Sequence, residues 1–170
     1  MKTKAGRLFR RALSSLMFLG YAPIAPGTVG SAVAVACMYL LWKNTPLIFA
    51  PPLHAFQWVG MVAVAAIAIL ACRRINEVFD DHDPPQVVID EFAGQVLTFF
   101  MVPLSIRTLI LGFFLFRFFD IVKPYPVYKA EEIEEGVGVA MDDIIAGVYA
   151  NVSMFVILWS YEWIRGLLNA

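Results

Sequence analysis

The chain has 170 residues, of which 60% are hydrophobic and 16% are charged, and its formal net charge is −1. Soluble domains carry about 25% charged residues and leave much of their surface in water. This composition therefore excludes an ordinary soluble domain, a disordered chain and a fibrous repeat, and the net charge gives no indication of a nucleic-acid partner. The two cysteines, Cys37 and Cys72, lie in apolar runs and indicate neither a disulfide framework nor a metal site. We expect one integral membrane domain.

The amino-terminal segment, residues 1–19, is basic and carries no acid. Its apolar part, residues 13–19, is short for a signal peptide, and no small-residue cleavage site follows it. We expect this segment to lie on the membrane surface as an interfacial helix.

Apolar runs downstream predict helices that cross the membrane. Residues 53–72 and 144–161 are long enough to span a bilayer, and residues 29–42 are apolar but need a tilt or the following residues 46–50 to do so. The stretch 87–122 is too long for one span, and Pro103 and Ser105 divide it into two helices joined by a tight turn. The prediction is an all-α, polytopic membrane bundle of about five segments.

Charge asymmetry predicts the orientation of this bundle. With a cytoplasmic amino terminus and five crossings, all the lysines and arginines except Lys43, Arg107 and Arg165 fall on the cytoplasmic side. All the acids except Glu162 fall there too. Nearly every titratable group therefore gathers at one membrane face, where we expect the polar site.

A loop rich in proline and glycine, residues 23–31, precedes the first span. Thr28 is suited to capping the helix that follows, and free backbone N–H groups around Gly27 would bind an anion, with the Thr28 and Ser31 hydroxyls as further donors. The alternative is a capped helix start that binds nothing.

Two pairs of adjacent acids stand at the start of apolar segments: Asp90 with Glu91, and Asp142 with Asp143. Carboxylates placed there repel each other and lose hydration unless a cation compensates, and magnesium prefers such oxygen ligands. The alternative is a solvated acid pair at a helix amino terminus. His82, in an acidic loop, is either a proton-transfer group or a solvated residue.

Arg117, Asp120 and Lys123 recur every three residues and share one helix face before Pro124 ends the helix. Two cations at the mouth of the bundle suit a phosphate group. The alternative is an interfacial stripe in which Arg117 and Asp120 form an ion pair.

Taken together, these motifs resemble the bacterial phosphatidylglycerophosphatase A family in order and spacing, over about residues 20–149. The family removes the terminal phosphate of phosphatidylglycerophosphate and depends on magnesium. The matching motifs are Pro26-Gly27-Thr28-x-Gly30-Ser31, His82-Asp83 before Asp90-Glu91-Phe92-x-Gly94, Phe116-Arg117-x-Phe119-Asp120-x-x-Lys123-Pro124-x-Pro126, and Gly138-x-x-Met141-Asp142-Asp143-x-x-Ala146-Gly147.

We expect a single membrane-embedded domain over residues 1–170, in which residues 1–19 are the basic interfacial segment, residues 20–149 are the catalytic region that carries the resemblance, and residues 150–170 are the end of the last membrane helix and a tail. The resemblance implies a site at the cytoplasmic face of a bacterial inner membrane, acting on phosphatidylglycerophosphate in the bilayer, and it leaves protein partners unknown. The implied roles are catalysis by Asp143, Asp90 and His82, substrate binding by Thr28, Ser31, Arg117, Lys123 and Gly27, and Mg²⁺ binding by Asp90, Glu91, Asp142, Asp143 and Asp120.

A different class of function fits the same residues less well. In a non-enzymatic ion or anion carrier, the acidic cluster would be the transport site. Carriers place their sites near the membrane midplane, whereas these charges gather at one face.

Overall fold

The computed structural model describes residues 4–49, 54–73, 75–79, 81, 84–130, 133 and 136–169. Within these ranges the regular structure is entirely helical, with two short 3₁₀ turns at Leu19–Tyr21 and Pro46–Phe49. The α-helices are α1 Lys4–Ser14, α2 Pro26–Asn44, α3 His54–Cys72, α4 Asn76–Phe79, α5 Ile89–Thr98, α6 Ile106–Val122, α7 Val127–Ala130 and α8 Val137–Leu168.

The all-α prediction is confirmed for the described part of the chain. Helices occupy each predicted apolar run: α2 covers 29–42, α3 covers 54–72, α5 and α6 divide 87–122, and α8 contains 144–161. Ser105 caps the start of α6, where its Oγ and the Thr108 side chain each bond the other's backbone N–H, so the predicted break is also confirmed.

Among the described residues, two helices, α3 and α8, are long and apolar enough to cross a membrane. Only 17% and 22% of their most apolar windows are buried inside the protein, whereas the core helix of a soluble domain would be mostly buried. These exposed apolar flanks indicate a membrane-associated protein. Five crossings are not confirmed, because α5 has 10 residues and is only about 15 Å long, about half of a hydrocarbon core.

Helix α5 lies at the centre of the bundle, packed most extensively on α8 and also on α2 and α3. A Cβ on Gly147 of α8 would collide with the backbone of Gly94, and a Cβ on Gly94 would collide with the carbonyl of Asp143. The two glycines therefore permit the close approach of α5 and α8. This crossing brings the two acid pairs together.

Side chains from neighbouring helices bond the backbone where α5 ends. The Asn151 amide of α8 donates to the carbonyls of Thr98 and Phe100 at 3.0 and 2.8 Å. Gln57 of α3 accepts from the N–H of Met101 at 3.1 Å. Backbone groups released at the helix end are thus satisfied by protein.

Helix α1 packs at the end of the bundle where α3 finishes. Arg11 donates to the carbonyl of Val78 at 2.9 Å, and Arg10 donates to the carbonyl of Arg73. Leu8 and Phe9 are exposed on the same helix. A helix with basic groups on the protein and apolar groups outside is consistent with the interfacial position predicted for residues 1–19.

Candidate active site

A polar pocket of about 290 Å³ lies where α2 and α8 begin, α5 begins and α6 ends. The sequence motifs that are far apart along the chain meet in it. Its polar lining residues are Asp90, Glu91, Arg117, Asp120, Lys123, Asp142 and Asp143, and the others are Pro26, Gly27, Pro84, Pro85, Val87, Ile121 and Val139.

Three carboxylates form the centre of the pocket. One oxygen from each of Asp90, Glu91 and Asp143 lies within 4.8 Å of the others. Asp90 and Asp143 are buried, and Glu91 is partly buried. The first acid of each pair is held by its neighbour: the Glu91 N–H donates to Asp90 Oδ1 at 3.1 Å and the Asp143 N–H donates to Asp142 Oδ1 at 2.9 Å.

The remaining two acids are paired with the two cations of the pocket. Lys123 Nζ lies 2.7 Å from Asp142 Oδ2, and Arg117 Nη1 lies 2.6 Å from Asp120 Oδ2. The structure thus brings all five predicted metal ligands into one pocket but separates them into a central trio and two ion pairs. Asp120 is thus held by Arg117 at the edge of the trio.

Negative charge exceeds positive charge in this pocket. Its lining contains five carboxylates against two cations, and in the described part of the chain Glu91 Oε2 and Asp143 Oδ1 are buried without a hydrogen-bond partner. Buried, unpartnered carboxylate oxygens this close together are strongly destabilising unless a cation lies among them. Oxygen donors in this number fit a hard divalent cation such as Mg²⁺.

The loop before α2 differs from its prediction. The helix already begins at Pro26, its N-cap residue is Ala25 in the left-handed region (φ 47°), and no side chain caps it. Thr28 is therefore the third residue of the helix rather than its cap, and it does not line the pocket. Capping by Thr28 is wrong because a proline is pre-organised for the first helical position and starts the helix two residues earlier.

Ser31 faces the protein interior rather than the pocket. Its Oγ donates to the Gly27 carbonyl at 3.0 Å and accepts from Arg117 Nη1 at 3.4 Å. Ser31 therefore positions Arg117. Gly27 does line the pocket, and a Cβ there would collide with Glu91 and crowd Arg117.

Two boundaries at the other motifs also differ from prediction. Helix α8 starts after Gly136 (φ 74°), so Asp142 and Asp143 lie in its second turn rather than at its start. Lys123 is the C-cap residue of α6 in the left-handed region (φ 44°) and not a member of the helix. Its side chain still reaches the pocket.

Several predicted features lie outside the described residues, so their positions are not given. His82, predicted as a catalytic residue, is one of them. The others named in the sequence motifs and segments are residues 2, 50, 53, 74, 80, 83, 131, 132, 134 and 135.

Two buried residues near the acids were not expected to take part in the site. Cys72 at the end of α3 places its Sγ 4.0 Å from Asp90 Oδ2. Gln95, one turn after Glu91 on α5, is fully buried and has no hydrogen-bond partner among the described residues. Their positions in the sequence indicate that they lie near the acids. Cys72 ends a span at the acidic face, and Gln95 follows Glu91 by four residues.

Comparison with known proteins identifies the family. A family model described as Phosphatidylglycerophosphatase A matches residues 12–158. A protein of Bacteroides thetaiotaomicron, named as a candidate phosphatidylinositol-3-phosphatase, is 37% identical over 82% of this chain and 87% of its own. Proteins named Phosphatidylglycerophosphatase A are 31% identical in Escherichia coli (88% of this chain, 83% of theirs) and 34% identical in Haemophilus influenzae (78% of each). No solved structure matches the chain. The chain therefore belongs to the phosphatidylglycerophosphatase A family.

Proposed function

We propose that this protein is a magnesium-dependent lipid phosphatase that hydrolyses phosphatidylglycerophosphate to phosphatidylglycerol and phosphate. The observation that carries the proposal is the trio of Asp90, Glu91 and Asp143 with two unpartnered oxygens, beside Arg117 and Lys123. An acidic metal site next to phosphate-binding cations is the combination that phosphoryl transfer requires. A carrier is not favoured, since the family match concerns a phosphatase.

The residues of the pocket divide into three tasks. The central trio, completed by Asp142, would hold Mg²⁺, whose chemistry on a phosphomonoester is to neutralise charge on the phosphoryl oxygens and favour attack by water. Arg117, held by Asp120 and Ser31, would bind the phosphate through parallel hydrogen bonds. Lys123 and the backbone of Gly27 at the start of α2 would contact the same group. His82 and Thr28 remain proposed contributors from the sequence motifs.

The reaction is the hydrolysis of one phosphorus–oxygen ester bond. Water provides the oxygen that bonds to phosphorus, the glycerol oxygen leaves, and a proton passes from the water to the leaving alcohol. Asp90 and Asp143 are the proposed groups for moving that proton, because they lie in the trio and are buried. The Glu91 N–H holds Asp90 in a fixed orientation, which favours a defined geometry for the attack.

We also propose that the bundle spans a bacterial inner membrane with this pocket at the cytoplasmic surface. Trp42 of α2 and Trp58 of α3 lie near the helix ends away from the pocket, and Trp159 of α8 lies on the far side of the acids. These tryptophans are about 21–24 Å along their helices from Pro26, Cys72 and Asp143 respectively, somewhat less than the thickness of a hydrocarbon core, and tryptophan concentrates at membrane interfaces. The basic helix α1 at the pocket end supports a cytoplasmic location for that end.

A phosphatidylinositol phosphate is a second candidate substrate. The Bacteroides relative, which is 37% identical to this chain, is named for a phosphatidylinositol phosphate rather than for phosphatidylglycerophosphate. The contacts proposed in the pocket are made with the metal and with the phosphate group, and both lipids carry such a phosphate. We therefore expect the choice between the two headgroups to depend on the pocket walls rather than on the acids.

Phosphate release in detergent micelles tests the proposal. Purified protein receives phosphatidylglycerophosphate or phosphatidylinositol 3-phosphate, first with Mg²⁺ and then with excess chelator. We expect release from phosphatidylglycerophosphate that stops on chelation and returns when Mg²⁺ is restored. Release from the inositol lipid alone would show that the substrate is the phosphatidylinositol phosphate. Folded protein that releases no phosphate from either lipid would show that the acids form a binding or transport site.

A further inference from the structure

A second cavity of about 310 Å³ opens between α2, α3 and α5 and is almost entirely apolar. Among the described lining residues, Gln57 is the one with a polar side chain other than a thiol. Both ends of its amide are bonded to backbone, to the Ile48 carbonyl at 3.2 Å and the Met101 N–H at 3.1 Å. The cleft wall thus presents no unsatisfied polar group from this residue to an occupant. Representative lining residues are Cys37, Leu41, Gly60, Val64, Phe92 and Phe99.

Helix α5 lines both the apolar cleft and the polar pocket. Phe92 lines the cleft and directly follows Glu91, which lines the pocket. On α3, Val64 lines the cleft about two turns before Cys72, whose Sγ contacts Asp90. From there the cleft follows α5 to Phe99, away from the acids.

The cleft also lies against an exposed apolar helix. One of its walls is α3, whose most apolar window is mostly exposed. Exposed neighbours of the lining on this helix include Val59 and Val62. An elongated apolar molecule that ends in a charged group would place its charged end in the pocket and its apolar part in the cleft.

We infer that this cleft binds one acyl chain of the lipid substrate and so positions the phosphate at the acids. The inference rests on the proposed lipid phosphatase function and adds a binding site to it. Within a bilayer, moving a chain from lipid to protein gains little, because lipid tails are as apolar as the cleft. The cleft therefore acts by restricting the orientation of the headgroup, which contributes to catalysis through proximity.

Gly60 allows a sharp test, because a Cβ at this position meets no atom within 4 Å. Gly60→Leu would place an apolar side chain in the cleft lining, with a Cβ that meets no neighbouring atom. Gly166 near the end of α8 offers a matched control, since it also has open space around its Cβ but lies outside the cleft. Both variants, in lipid nanodiscs, are assayed on dioctanoyl phosphatidylglycerophosphate and on its deacylated headgroup.

The ratio of kcat/KM for the dioctanoyl lipid to that for the deacylated headgroup is the quantity measured. We expect it to fall at least about tenfold in Gly60→Leu, because a chain displaced from the cleft no longer orients the phosphate, and a misplaced reacting group loses up to about 100-fold in rate. It should be unchanged in Gly166→Leu. An unchanged ratio in Gly60→Leu would overturn the inference. Wild-type protein that releases no phosphate from either compound would instead overturn the proposed function.

Photolabelling of the wild-type protein provides a test that does not depend on a variant or on turnover. Phosphatidylglycerophosphate with a diazirine in one acyl chain is activated in nanodiscs, and the adducts are mapped by mass spectrometry. We expect adducts on residues 56–64 and 92–100, reduced by excess phosphatidylglycerophosphate and not by excess phosphatidylcholine. Adducts confined to the outer flank of α8, or reduced equally by both lipids, would overturn the inference.

Discussion

Lys123 Nζ lies 2.7 Å from Asp142 Oδ2, so an ion pair joins the residue that ends α6 to the second turn of α8. Asp142 is buried and Lys123 is partly exposed. A buried carboxylate held by one cation depends on that cation, because removing the partner leaves a desolvated charge. The pair therefore links the stability of the bundle to the proposed phosphate site.

The first prediction concerns this ion pair. Lys123→Met should lower the free energy of unfolding by about 1–3 kcal/mol, since Asp142 loses a charged hydrogen-bond partner. The double variant Lys123→Met/Asp142→Asn should recover most of that stability but not phosphate release. Thermal unfolding followed by circular dichroism, with parallel phosphate assays, measures both.

An exposed ion pair provides the control for that comparison. Arg165 and Glu162 on α8 are 3.9 Å apart, and both side chains are more than half exposed. Arg165→Met should leave stability nearly unchanged, as exposed pairs contribute little. Equal losses in Lys123→Met and Arg165→Met would contradict a special role for the buried pair.

The second prediction concerns Asp143. Asp143→Asn should reduce phosphate release at least about 100-fold, because a group in direct contact with a metal matters more than the outer contacts that cost 10–100-fold. Stability should be retained or improved, since one of three crowded charges is removed. Turnover and thermal unfolding are measured together, with Glu162→Gln at the far end of α8 as the matched control. Near-normal turnover would remove Asp143 from the catalytic set.

The third prediction concerns metal binding without substrate. Magnesium at ten times its Kd should raise the free energy of unfolding by about 1.4 kcal/mol, because it relieves repulsion among Asp90, Glu91 and Asp143. The midpoint of thermal unfolding in detergent, recorded against magnesium concentration, reports this increase. The increase should be lost in Asp143→Asn and kept in Glu162→Gln. An equal increase in the free energy of unfolding in both variants would show that magnesium binds outside the trio.

The fourth prediction concerns the crossing of α5 and α8. Gly147→Ala should destabilise the protein by about 1–3 kcal/mol, because its Cβ would meet the backbone of Gly94 and overpack the contact. Phosphate release should fall as well, since the two helices carry the acid pairs. Gly166→Ala, where the added Cβ meets nothing, should not destabilise. Equal stability of the two variants would show that the helices separate at little cost.

Much of the site could be predicted from the sequence because its groups stand at the same end of successive helices. The length of the apolar runs predicted the positions of α3 and α8. The charge asymmetry predicted that Asp90, Arg117 and Asp142 lie at the same end of the bundle. The pairing of these groups could not be predicted in the same way. Whether Asp142 contacts a metal or Lys123 depends on helix rotation, which hydropathy does not report.

The early start of α2 and the short length of α5 have separate physical reasons. Thr28 was expected to cap α2 from its residue type, but Pro26 begins the helix earlier. Apolar residues continue past Thr98, so hydropathy gives no sign that α5 ends there. The bonds that satisfy its end come from Asn151 and Gln57, distant in the chain.

Those bonds from Asn151 and Gln57 have a consequence for how the protein responds to its lipid surroundings. A helix whose end is bonded to neighbouring helices does not need to reach the aqueous phase, so hydrophobic mismatch cannot act on it directly. Thinning or thickening of the bilayer would act on α3 and α8, and α5 would move with them as one unit. The depth of the acids relative to Arg117 and Lys123 is then set by the protein and stays constant across membranes of different thickness.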